Sequence, residues 1–439
     1  MLFLSIDFGT SAVKMSIVNE KGETLEWSKQ DYPYMILPGE KVEIAPDELF
    51  KGLYGAANKL DPDLRKKIDV ICYDTFSPSP VFMDKKGDLV YPNIITHLDR
   101  RSRAQTDFIE EHFGNERYMN ISGILPFAGG CSAMTIIWFK QNMPEVLEKT
   151  YSIGHLPSYI HKKLTGRFMV DLVNASMIGL YETTTQGGWS RTLLDDFGLN
   201  ADWFGEIYNP GTILGNLLAE PASKLGVPEG IPVAVGTNDV SVAQLGAHNK
   251  KAGEMMNTAG SSDMISILTD KPIVNKEYYL RNAALPGLWQ IYVTTCGGFG
   301  VDWFYEQFCK EMSKDEFFNR FLPESIEKHL ESDTVSFEPF LTGDRQSLQK
   351  KTASWSGLTL SATKGEMLCS MLTSMQQVLK KAIDQAAALE PLSDTIKISG
   401  GMTKDAYMKI KRKEIPGYKF EVVDDCPILG NVECVKHYM

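Results

Sequence analysis

Apolar residues recur along the first thirty positions in short runs separated by small polar ones. Leu2-Phe3-Leu4 leads into Ile6, and Met15-Ser16-Ile17-Val18 follows after a gap. That spacing predicts strands near 2–7, 12–19 and 23–30, the last two joined by Asn19-Glu20-Lys21-Gly22, so a mixed sheet opens with antiparallel strands. The period then changes. Pro46-Asp47-Glu48-Leu49-Phe50, continued by Leu53, Ala56 and Leu60, puts apolar side chains at helical spacing behind a proline start. Val70-Ile71-Cys72-Tyr73 reads as a further strand, and the prolines of Ser77-Pro78-Ser79-Pro80 force a loop after Asp74-Thr75-Phe76. Long helical patterns lie near 365–390 and 404–413, and the polar, glycine-bounded stretch from Gly246 to Gly253 marks a domain boundary. Strands alternating with helices on both sides of it predict an α/β fold with two units of similar kind.

Three glycine elements punctuate this pattern. In Ile6-Asp7-Phe8-Gly9-Thr10-Ser11-Ala12-Val13-Lys14, a tight turn would set backbone N–H groups and the hydroxyls of Thr10 and Ser11 beside an anion. Asp7 would then be placed for a hydrated Mg²⁺, although an ordinary hairpin uses the same residues. Lys14 either neutralises that anion or lies along its strand with its ammonium in water. Asn257-Thr258-Ala259-Gly260-Ser261-Ser262 repeats the design between strand-like runs at 254–256 and 264–268. The third element, Ile396-Lys397-Ile398-Ser399-Gly400-Gly401, ends a strand in a glycine pair that lets a flat group approach the backbone, or simply supplies a strand-to-helix turn.

Composition narrows the classes. The 439 residues are 43% hydrophobic, enough for two or three domains with their own cores. A formal net charge of −11 with no long basic run argues against nucleic-acid binding. Seven cysteines without a C-x-x-C pair favour reduced thiols over a disulfide frame or a zinc site. With no basic leader region and no apolar stretch of spanning length, a soluble cytoplasmic protein that does not engage a membrane is expected. Self-association as a homodimer is compatible with all of this.

Taken in order, these residues resemble the FGGY family of carbohydrate kinases within the actin-like ATPase superfamily. Asp7, Gly9, Thr10, Ser11 and Lys14 match the family's opening D-x-G-T-S-x-x-K. Gly236-Thr237-Asn238-Asp239, with Leu245-Gly246 in register, is similar to the segment holding the catalytic aspartate. Gly260-Ser261-Ser262 is similar to the second phosphate loop, Pro339-Phe340-Leu341-Thr342-Gly343-Asp344-Arg345 to Pro-Tyr-Leu-x-Gly-Glu-Arg, and Gly400-Gly401 to the adenosine-holding pair. The resemblance implies two actin-like (ribonuclease H-like) domains, 1–246 on the sugar side and 247–439 on the nucleotide side. Each would be a mixed five-stranded sheet flanked by helices, with a cleft between. It further implies ATP and Mg²⁺, and phosphorylation of a small ketose or polyol in carbohydrate catabolism.

The resemblance also implies roles for single residues. Asp239 would orient the acceptor hydroxyl, accept its proton and share Mg²⁺ with Asp7; from residue chemistry alone, it could equally cap the helix that follows. Asp74-Thr75-Phe76 is similar to the Asp-Thr-Trp of rhamnulokinase-like members, and Leu98-Asp99-Arg100-Arg101 to the family's D-x-R segment. These, with Asn238, would bind the sugar, unless Asp99 and Arg100 form a solvated helix start. His97 reads as a satisfied polar residue. Ser77-Pro78-Ser79-Pro80 departs from the xylulokinase and rhamnulokinase patterns, leaving the sugar open. Only five residues follow Cys434, so a short or frayed last helix is expected. Two other classes remain as alternatives: a non-catalytic sugar-binding or regulatory paralogue, and an actin-like ATPase coupled to a partner.

Overall fold

The computed structural model describes residues 1–341 and 351–439. Two central sheets follow one plan. In the first, Leu2–Phe8 pairs antiparallel with Ala12–Asn19, which pairs with Thr24–Asp31, and on its other side Leu2–Phe8 runs parallel to Val70–Thr75. In the second, Met255–Ala259 pairs antiparallel with Asp263–Thr269 and parallel with Thr395–Ser399. The expected five strands per sheet are exceeded. Pro232–Ala234, Ile213–Asn216 and Thr237–Asn238 extend the first sheet to seven, and Trp289–Thr295, Tyr279–Asn282 and Lys419–Val422 bring the second to six.

Strand alternation decides what each face packs. Leu4, Ile6 and Phe8 enter one core with Val13, Leu49, Leu53 and Ile71, while Phe3 points to the opposite face. Val70–Thr75 is buried at every position because it lies inside the sheet with both faces covered. The predicted helix at 46 forms as Pro46–Ala57, and the two late helices form as Lys364–Ala387 and Asp405–Glu414.

The last helix is three turns long and well packed, rather than short or frayed. Cys426–Lys436 lies on the second face of the first sheet, where Ile428, Val432 and Val435 meet Phe3, Val18, Val70, Cys72 and Ala234. It also crosses the helix Asp239–Gly246 at van der Waals distance: a Cβ on Gly430 would fall 1.9 Å from the Val242 carbonyl oxygen, and one on Gly246 1.9 Å from that of Cys426. A linear cut near residue 246 therefore leaves a segment from the chain's far end on the first sheet.

Candidate active site

Between the two sheets lies a cavity of about 320 Å³. One wall carries Thr10, Ser11, Phe76, Ser77, His97, Phe127, Asn238 and Asp239; the other carries Thr258, Gly260, Ser261, Ser262, Tyr279, Arg281, Tyr292 and Thr294. Both glycine turns thus meet one space. The first is closed by the Gly9 N–H donating to the Ala12 carbonyl at 2.9 Å and is braced by the Tyr32 hydroxyl on the Gly9 carbonyl. The second is closed by the Gly260 N–H on the Ser262 carbonyl at 2.9 Å, and the helix Gly297–Phe308 begins against it.

Asp239 reaches the cavity because its neighbour does the capping. Asn238 accepts the Ser241 N–H at 3.3 Å as the N-cap, and its amide donates to Asp239 at 2.7 Å. The Asp239 carboxylate, at the first helical position, also accepts its own helix's Val240 N–H at 2.7 Å. Behind it stand two more carboxylates, since Asp7 and Asp74 sit in register on parallel strands. Burial raises Asp7, with Lys14 across the ladder pulling it back; burial, then Asp7 and Asp239, raises Asp74 well above the carboxylate range. Burial and then the Asp7 charge push Asp239 up to about 7.

Of the residues expected at the site, Thr10, Ser11, Phe76, Asn238, Asp239, Gly260, Ser261 and Ser262 are brought together. The sugar-binding group expected from Asp74, Thr75, Asp99 and Arg100 is not assembled around the cavity. The strand that was expected to end at Tyr73 continues through Thr75, so Asp74 is sealed beneath the sheet, where it accepts the Asn431 amide at 2.5 Å. Thr75 is likewise buried, its hydroxyl donating to the Phe76 carbonyl at 3.0 Å. Asp99 belongs to an internal ion cluster instead of a solvated helix start: its carboxylate binds Arg101 at 2.7 Å and the Val42 N–H at 2.8 Å, and Arg101 also binds Glu43. Arg100 folds back onto its own loop, donating to the His97 carbonyl at 2.7 Å.

Lys14 is exposed on its strand outside the cavity lining. Gly400 abuts the second turn with φ of 113°, and a Cβ there would come 2.5 Å from the Ala259 carbonyl oxygen, so only glycine fits. Gly401 has open space where its Cβ would be. Thr342 to Arg345 of the proline-phenylalanine-leucine motif lie outside the described residues.

Sequence reasoning missed Phe127, Tyr279, Arg281 and Tyr292. The one available signal was an arginine inside the otherwise apolar Tyr278-Tyr279-Leu280-Arg281 run. It also missed Asp171, which accepts the Thr237 hydroxyl at 2.5 Å and the Asn174 amide at 2.8 Å and so fixes the strand just before Asp239.

Residues 2–246, more than half of the chain, match the N-terminal domain of the FGGY family of carbohydrate kinases. The chain belongs to that family, whose members transfer phosphate to carbohydrates. Among curated relatives, it is 26% identical over 384 residues to a gluconokinase of Bacillus licheniformis, covering 83% of this chain and 73% of the relative. It is 24% identical over 349 residues to a xylulose kinase of Bacillus subtilis, covering 78% and 68%. The fold superposes on a gluconate kinase from Lactobacillus acidophilus with a TM-score of 0.88 at 19% identity, spanning 100% of this chain and 89% of the other. No helix among the described residues is long and apolar enough to cross a membrane.

Proposed function

We propose that this carbohydrate kinase transfers the γ-phosphoryl group of ATP to a hydroxyl of a small polyhydroxylated sugar, with Asp239 receiving the hydroxyl proton. The new bond joins the acceptor oxygen to phosphorus, the bond to the β-phosphate oxygen breaks, and ADP leaves. The carrying observation is the placement of Asp239 on the cavity wall shared with both glycine turns. A carboxylate raised to about 7 by burial and Asp7 is matched to a proton that leaves late, because a base works best with a pKa near the working pH. Thr10, Ser11, Gly260, Ser261 and Ser262 would receive the phosphates, and Phe76 with Asn238 would border the sugar. Gly400 and Gly401 would admit the adenosine, Gly401 having the open face this requires.

Among the described residues, no cluster of three or more His, Cys, Asp or Glu side chains is poised to cage a metal. Asp7 and Asp239 fit an ion that keeps most of its water: Asp239 lines the cavity, the Asp7 charge acts on it from behind, and each is otherwise destabilised by burial. They would hold Mg²⁺, whose charge would offset that of the phosphates. All seven cysteines are buried and none forms a disulfide, in keeping with the reducing cytoplasm.

A coupled ADP-release screen over ketoses, polyols and sugar acids tests this reading. At least one acceptor should stimulate ADP release, and Asp239→Asn should lower kcat on it by roughly 10²–10⁴-fold, the range for a positioned base. Binding of sugar and ATP with no transfer to any acceptor would favour the non-catalytic paralogue.

A further inference from the structure

Arg281 differs from two other buried cations among the described residues and, unlike Arg65, which donates to the Leu225 carbonyl at 2.8 Å, it borders the cavity. Arg101 and Lys411, with side chains only 1% exposed, each contact a buried carboxylate within 2.7 Å. Arg281 is 7% exposed, and among the described residues it forms no salt bridge. Its guanidinium carbon lies 3.8 Å from the centroid of the Tyr292 ring, and Nη1 is 3.9 Å from the Met177 sulfur. This guanidinium is held by a ring face and a thioether and feels the Asp239 charge, but among the described residues no carboxylate grips its fork. That is costly unless an anion arrives.

The surroundings indicate where such an anion would sit. Arg281 borders the cavity together with Asp239, Thr258 and Thr294, and the hydroxyl oxygens of Thr258 and Thr294 are buried without a hydrogen-bond partner. The strand carrying Arg281 pairs with Trp289–Thr295 in the second sheet and also docks on the first domain. The Leu280 N–H donates to the Gly123 carbonyl at 3.0 Å, the Asn282 amide donates to the Leu172 carbonyl at 3.0 Å, and the Tyr279 ring stacks on Phe127 with centroids 5.1 Å apart. Phe127 lines the same wall as Phe76 and Asn238. The guanidinium therefore faces the acceptor end, on the same cavity as Asp239.

We propose that Arg281 recognises a carboxylate on the acceptor, so that the preferred substrate is a sugar acid of the aldonate class, not a neutral sugar. The inference rests on the kinase reading above and names its substrate class. The carboxylate takes the fork of the guanidinium, the flanking threonine hydroxyls serve hydroxyls of the same molecule, and a hydroxyl further along its chain meets Asp239. Neutral alditols and ketoses of equal length fill the same space but bring no carboxylate to the Arg281 fork. Buried polar sites reject such analogues strongly.

The test compares a six-carbon aldonate with the alditol and the ketose of the same length, each with ATP and Mg²⁺, on wild type, Arg281→Gln and Arg281→Lys. Wild type should favour the aldonate in kcat/KM. Arg281→Gln should collapse that preference by roughly 10–100-fold, the loss expected for a charge-assisted pair, mostly through KM. Arg281→Lys should recover part of it. The Kd for ATP, measured on each variant, shows that the fold survives. Three results overturn the proposal: wild type favouring a neutral sugar over the aldonate, Arg281→Gln lowering kcat equally on all acceptors as an arginine serving the transferred phosphoryl group would, or a preference unchanged in Arg281→Gln. Each leaves the kinase standing; only silence on every acceptor removes both.

Discussion

Replacing Asp239 with asparagine should make the ligand-free protein more stable at alkaline pH. The carboxylate titrates near 7 in the folded protein and near 3.8 when unfolded, because burial and Asp7 both oppose its charge. A folded-state value above the unfolded one means that the neutral acid stabilises the fold. That contribution is intact below pH 3.8 and is lost as the pH rises through about 7. At about 1.4 kcal/mol per pH unit, the accumulated cost is about 4 kcal/mol at pH 8 and under about 2 kcal/mol at pH 5. The amide keeps the volume and still accepts from Val240, so Asp239→Asn avoids the cost without opening a cavity. If the chain melts as one unit, the variant's midpoint should exceed wild type by about 4 °C at pH 8 and by clearly less at pH 5. Thermal melts without nucleotide, sugar or Mg²⁺ provide the measurement. An equal advantage at both pH values, or none at pH 8, would refute the electrostatic account of the site.

Other consequences are equally direct. Gly260→Val should raise the Kd for ATP far more than that for the acceptor while leaving the melting curve nearly unchanged, since no atom outside its own turn lies closer than 4.0 Å to the added Cβ. Separate titrations of the two ligands decide it. Lys411→Met should cost about 3–5 kcal/mol in urea unfolding, because it strands Asp263, which is otherwise held by Lys411 at 2.7 Å and Gln376 at 2.8 Å beneath the second turn. Gly430→Val should disrupt the helix crossing and, through Asn238–Asp239 at the start of the facing helix, lower kcat as well as stability; unaltered kinetics in a destabilised protein would show that the crossing does not set Asp239.

Local pattern carried much of the fold. The strands at 2–8, 12–19 and 24–31 and the helices at 46, 364 and 405 formed within one to three residues of their expected positions at nearly every boundary, because period and turn chemistry are properties of neighbours in the chain. The glycine turns were legible for the same reason. The placement of the residues expected on the sugar side was not. Asp74 reads as a loop residue before a proline-rich stretch, yet pairing with Asp7 and Thr237 draws it into the sheet, and that pairing joins residues far apart in sequence. Asp99 and Arg101 look like a surface charge run until Glu43, more than fifty residues away, closes them into a buried cluster. Phe127 and Arg281 share a cavity only because a strand of the second sheet docks on the first domain. No periodicity records that contact.

The C-terminal helix imposes an order on how the molecule can be made. Ser5, in the first strand, donates its hydroxyl to the Ile428 carbonyl at 2.8 Å, and Asn431 reaches Asp74 in the neighbouring strand. During translation, the first sheet emerges with this face uncovered and waits for roughly 180 further residues, about 10–40 s at common elongation rates. Through that interval, Phe3, Val18, Val70, Cys72 and Ala234 form an apolar surface with no cover of their own. The half synthesised first is thus the half finished last, and a ribosome stalled before residue 426 would hold a chain whose Asp239 is already present but whose first sheet has nothing at its back.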